Sequence, residues 1–125
     1  MGFIGVGKEI IHALQITNNY FIDKIEQFNE LQKLDDWFLI FFSGGPSCGK
    51  CIMAKKNLPE IFNELSSKNL FIFTIEKDNL PELFERYDIK VYPKYALFKG
   101  SNLVQTRSGM GSIENTIEWI KQIIG

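Results

Sequence analysis

The sequence predicts an α/β fold in which a central mixed β-sheet is flanked by helices on both faces. Three observations lead there. Apolar runs of strand length alternate with stretches of helical periodicity, the run Trp37–Phe42 is apolar without interruption, and a glycine turn joins the last two strand candidates directly. Strands connected through helices run parallel, whereas a tight hairpin adds antiparallel pairing, so the sheet is mixed.

Residues 1–18 read as an N-terminal extension with a short helix over Lys8–Ile16, and residues 19–125 as the domain. Gly2, Gly5 and Gly7 lack the spacing of a dinucleotide-binding loop, and no strand precedes them. Val6 stands where N-myristoylation wants Ser or Thr. A strand is expected near Tyr20–Ile25, a helix over Glu26–Leu34, a turn at Asp35-Asp36 and a buried strand over Trp37–Phe42. The cluster Ser43-Gly44-Gly45-Pro46-Ser47 ends that strand. A helix follows from Cys48 or Gly49 to Ser66, because Cys51, Ala54, Leu58, Ile61 and Leu65 recur three and four residues apart; Pro59 bends it.

The strand Leu70–Glu76 comes next, then a helix opened by Asp78 or Asn79 and Pro81, with Leu80, Leu83, Phe84 and Tyr87 as its apolar stripe. The chain closes with strand Lys94–Lys99, turn Gly100-Ser101-Asn102, strand Leu103–Arg107, and a helix capped by Ser112 that buries Ile113, Ile117, Ile120 and Ile124.

Composition narrows the function. At 125 residues, 45% hydrophobic and 14% aromatic, the chain has material for one core. Its 14 basic and 15 acidic residues leave a net charge of -1, with no surplus to neutralise a phosphate backbone, so no nucleic-acid partner is expected. The longest apolar run is far shorter than the roughly 20 residues of a membrane span. With one histidine, His12, and two cysteines, one chain could build a zinc site only by adding distant carboxylates, and the thiols are too few for a disulfide scaffold. The expectation is a monomer without metal or organic cofactor. With no basic stretch ahead of the first apolar residues, its location is expected to be cytoplasmic. His12, Trp37 and Trp119 read as packing or surface residues, and Glu26, Glu30, Asp35 and Asp36 as a solvated face and turn.

Chemistry concentrates at Cys48-Gly49-Lys50-Cys51, a CxxC at the junction of the buried strand and the long helix. Unpaired N–H groups at a helix start favour a thiolate, which makes Cys48 the candidate nucleophile. Cys51, three residues on, is within disulfide reach and turned inward by the apolar stripe. An exposed, acidified sulfur beside a shielded one is what two-step disulfide exchange requires. Gly49 and Lys50 tune the motif, the lysine by placing a cation near Cys48. Three other readings stand beside this one: a structural bridge, which across so short a loop removes little unfolded-state entropy; half of a zinc site shared between chains; and two inert thiols.

From the CxxC, the segment Val91-Tyr92-Pro93 with Pro93 45 residues beyond Cys48, the Phe98-Lys99-Gly100 hairpin and the late Gly109, the chain resembles the thioredoxin family over about Tyr20–Gly125. The resemblance implies a thioredoxin-like fold. It implies that Pro93 is a cis-proline facing the disulfide, the alternative being a trans proline in a turn leading into a strand. It also implies that Tyr92 offers its backbone to an extended substrate; Gly109 and Met110 complete a partly apolar rim. The expected function is a thiol:disulfide oxidoreductase acting on protein disulfides, with electrons from a separate reductase. The other expectation is an interaction module on the same fold, whose cysteines are non-catalytic or redox-sensing. The chain departs from the family pattern in four places. Ser47 and Lys50 replace the usual aromatic residue and proline, Phe42 falls near the usual buried acid, and the lysine that accompanies the acid is lost among Ile72, Phe73 and Thr74. Proton transfer at Cys51 is then expected to go through water or a nearby polar group, Lys50 or Glu76.

Overall fold

The computed structural model describes residues 21–68 and 70–125. The expected N-terminal extension, His12 and the start of the first expected strand lie outside the described residues. The elements in order are helix α1 (Ile25–Lys33), strand β1 (Trp37–Ser43), helices α2 (Gly49–Lys55) and α3 (Leu58–Leu65), strand β2 (Phe71–Glu76), helix α4 (Pro81–Arg86), strands β3 (Lys94–Lys99) and β4 (Asn102–Ser108), and helix α5 (Ile113–Ile124). The sheet order is β2-β1-β3-β4; β1 and β2 are parallel, and the pairs β1–β3 and β3–β4 are antiparallel. The predicted mixed sheet is therefore present.

Strand β1 is central, and its uninterrupted apolar run follows from that position: with period two, both of its faces meet a core. Phe38, Ile40 and Phe42 face one layer, where α1 and α4 contribute Phe28, Leu31, Leu83 and Phe84. Leu39 and Phe41 face the other, where α2, α3 and α5 contribute Ala54, Leu58, Ile61, Trp119 and Ile120. In the first layer Phe38 stacks on Phe98 at 4.8 Å while Phe28 meets both rings edge-on.

Four expectations change. The strand expected over Tyr20–Ile25 is reduced, among the described residues, to one parallel bridge from Phe21 to Thr74 and a 2.9 Å bond from the Ile22 N–H to the Thr74 carbonyl. The chain leaves the sheet there because the Gln27 carboxamide oxygen accepts from the N–H groups of Asp23 and Lys24, which starts α1 at Ile25. The single long helix is two, separated at Lys56 and Asn57. Pro59 supplies no N–H for the Lys55 carbonyl, and the preceding turn tightens through bonds from Lys56 to Met53 and Asn57 to Ala54. Helix α4 is entered through Leu80 and Pro81 with no side-chain cap, so neither Asp78 nor Asn79 opens it. On α5, Ser112 accepts from the Asn115 N–H as expected, but Trp119 and Ile120 are the buried anchors; Ile113, Ile117 and Ile124 are partly covered.

Candidate functional site

The register of the sheet assembles the site. Phe42 pairs with Lys94, and Lys94 with Ser108. One residue beyond these pairs along the chain come Ser43, Pro93 and Gly109. The Gly109 N–H bonds to the Pro93 carbonyl at 2.9 Å. The Tyr92–Pro93 peptide bond is cis, Pro93 is buried and Tyr92 half-buried.

Beyond β1 the chain turns through Gly44 and Gly45. Gly45 adopts φ +97°, a conformation that disfavours a side chain, and its N–H bonds to the Ser43 hydroxyl at 3.1 Å. The Cys48 N–H then closes on the Gly45 carbonyl at 3.0 Å, and Cys48 becomes the N-cap of α2. Cys48 and Cys51 are joined by a disulfide with Cα atoms 5.2 Å apart. The two sulfurs differ as their places on the helix require: Cys48 is half-buried, whereas Cys51 is 1% exposed.

Each sulfur has a backbone donor. The Cys51 N–H points at Cys48 Sγ at 3.2 Å, and the Gly44 N–H points at Cys51 Sγ at 3.3 Å. Donors so placed stabilise negative charge on sulfur when the bond opens. Because α2 has only seven residues, these local N–H groups, rather than the dipole of a long helix, carry that stabilisation.

Gly44 is the residue that sequence reasoning passed over. A Cβ there would lie 3.0 Å from Tyr92 Cδ2 and 3.3 Å from Cys48 Cβ, so the missing side chain lets the Tyr92 ring close on the cysteine turn. Tyr92 is held from behind by Phe84, edge-on at 5.6 Å, and Lys77 Nζ lies 5.5 Å from its ring centre. The only signal in the sequence was the Gly44-Gly45 pair, which also reads as an ordinary strand stop.

Gly49 and Lys50 are exposed on the first turn of α2. Phe42 is fully buried against Phe84 at 4.9 Å and offers no proton. Thr74 is also fully buried, and its hydroxyl has no hydrogen-bond partner among the described residues. Glu76 ends β2 opposite Ser43. Among the described residues no three His, Cys, Asp or Glu side chains gather as a metal site, and no helix is long and apolar enough to cross a membrane.

Comparison with known proteins agrees with this geometry. The thioredoxin family model matches residues 16–122. A thioredoxin of Rickettsia bellii is 31% identical over 77 residues, covering 62% of this chain and 72% of that protein. The thioredoxin-like protein YusE of Bacillus subtilis is 27% identical over 96 residues, covering 77% and 89%. Among solved structures, oxidised mitochondrial thioredoxin 3 of Saccharomyces cerevisiae superposes with a TM-score of 0.73 at 20% identity, over 85% of this chain and 96% of that one. With the paired cysteines of a CxxC at the end of its central strand and this family match over most of its length, the chain belongs to the thioredoxin family of thiol:disulfide oxidoreductases.

Proposed function

We propose that the protein reduces disulfides of other proteins and is itself re-reduced by a separate dithiol-supplying reductase. The observation that carries this reading is the asymmetry of the pair: a half-buried Cys48 and an enclosed Cys51, each with a backbone N–H at its sulfur. In the reduced protein the Cys48 thiolate attacks one sulfur of the substrate disulfide. That S–S bond breaks, a Cys48–substrate bond forms, and the departing sulfur takes a proton from solvent. Cys51 Sγ, its proton lost to water, then attacks Cys48 Sγ. The second substrate thiolate leaves and is protonated, and the Cys48–Cys51 disulfide remains. Two electrons have passed from the pair to the substrate.

Tyr92 and cis-Pro93, with Gly109 behind the proline, form the surface on which we place the substrate backbone. The compartment we propose is the cytosol, since both cysteines of the chain are spent on one exchangeable pair rather than on a bridging scaffold. Reduction of insulin, followed as turbidity with dithiothreitol as electron source, tests the reading. The wild-type protein accelerates precipitation and Cys48→Ser does not. Equal rates with and without the wild-type protein would favour an interaction module, for which partner binding survives loss of both cysteines.

A further inference from the structure

Among the described residues, two grooves flank the Tyr92–Pro93 dipeptide. The larger, about 510 Å³, lies on the Tyr92 side over Phe84 and Ile89, and its charges balance: Lys77 and Lys90 are offset by Glu85 and Asp88, with Lys90 and Asp88 paired at 3.3 Å. The smaller, about 200 Å³, runs between α2 and the turn after β4, with Lys50, Met53 and Asn57 on one wall and Gly109 and Met110 on the other. Gly109 both lines this groove and lies against Pro93, and Lys50 on its other wall stands between Cys48 and Cys51 in the chain.

The smaller groove has a distinct chemistry. Among the described residues Lys50 is the only charged one that lines it, and no salt bridge among them engages it. Met53 and Met110 are 68% and 55% exposed, which leaves two large apolar side chains in water on opposite walls. Unbranched thioethers adapt to side chains of different shape, and covering them removes apolar surface from water. An unopposed cation at the mouth of a partly apolar groove favours a carboxylate and disfavours a second cation.

We propose that this groove selects substrates: the polypeptide disulfide that the protein reduces carries, next to the cysteine attacked by Cys48, an apolar side chain seated between Met53 and Met110 and a carboxylate paired with Lys50. The proposal rests on the reading of Cys48 and Cys51 as an exchanging pair. The balanced charge of the larger groove gives no preference of sign, so selection by charge belongs to the Lys50 side.

The test uses the full chain and fluorogenic peptide disulfides whose variable pair, Leu-Glu, Leu-Lys or Ser-Ser, is placed before the cysteine in one series and after it in another. In at least one series Leu-Glu is reduced with a kcat/KM about five- to tenfold above Leu-Lys at low salt, and the ratio shrinks as salt rises. Lys50→Glu reverses that order. A change in Cys48 reactivity caused by the same substitution acts on all peptides and cancels in the ratio. Lys121→Glu, the same change of net charge on the exposed last turn of α5, keeps the wild-type order. The double variant Met53→Ser, Met110→Ser removes the advantage of Leu over Ser. Reduction of all peptides at one rate, or an order unmoved by Lys50→Glu, overturns the groove while leaving the exchange chemistry standing. Reduction of none overturns the exchange chemistry and the groove with it.

Discussion

Gly109 and Pro93 are in such close contact that a Cβ on the glycine would lie 2.8 Å from Pro93 Cγ and 3.1 Å from its carbonyl carbon. No positive φ is involved, so the requirement for glycine here is one of space. Gly109→Ala therefore moves Pro93, the wall of the proposed substrate surface, or forces β3 and the turn after β4 apart. Overpacking of this kind costs about 1–3 kcal/mol. The expected result is a loss of that size in urea denaturation and a fall in kcat/KM for insulin reduction of about tenfold, more than the stability change alone produces in a protein that remains folded.

Cys51→Ser removes the second sulfur but keeps the Cys48 cap and its donor. Cys48 then attacks and is not released. Proteins recovered from cells on this variant are expected to carry dithiothreitol-sensitive adducts on Cys48, seen as slow bands on non-reducing gels and as mixed disulfides by mass spectrometry. The variant with serine at both positions is expected to carry none.

Lys50 occupies the second residue of α2, where the backbone N–H has no partner within the helix and proline is tolerated. In the role we propose for it, its cation stabilises the Cys48 thiolate and hence the dithiol, which would raise the reduction potential. Lys50→Pro is expected to lower the potential by about 10–30 mV, a modest shift because the lysine is exposed and screened. Equilibration with glutathione buffers measures it; an unchanged or higher value contradicts the electrostatic role.

Tyr95 is 2% exposed in the layer beneath α2, α3 and α5, tilted against Phe41 at 5.3 Å. Burial pushes its phenol up to about 12 from 10.0, because the charged form loses its hydration. The unfolded chain ionises first as pH rises, so the stabilisation is complete below pH 10 and is lost between there and about 12. The loss is on the order of 2–3 kcal/mol. Denaturation from pH 9 to 11.5 is expected to show a steeper fall for the wild type than for Tyr95→Phe.

Where an element is set by its own residues, the sequence was sufficient. The alternation that divides Phe38, Ile40 and Phe42 from Leu39 and Phe41, the Gly100 turn at φ +58° and the Ser112 cap are all local chemistry. Cys48 and Cys51 were legible for the same reason, since their spacing and the glycine-rich stop before them lie within a few residues.

What escaped reading depends on partners far along the chain. The first expected strand has β-forming residues in Phe21 and Ile22, yet the Gln27 side chain turns the backbone away after one bridge to Thr74. Pro59 announced a bend, but the full break at Lys56 and Asn57 depends on how α3 seats Leu58 and Ile61 in the core. Gly44 matters only because the β1–β3 register brings Tyr92 against it, and no local pattern encodes a contact across that separation.

Every role proposed here for Cys48 and Cys51 requires that they interconvert reversibly between dithiol and disulfide in the folded protein. Incubation in a series of dithiothreitol redox buffers, followed by acid quench, alkylation and mass spectrometry, tests it most directly. Both thiols are expected to appear and disappear together along one two-electron curve, with the circular dichroism of the folded chain retained throughout. A pair that holds one oxidation state at every poise, or thiols that titrate independently, would contradict it.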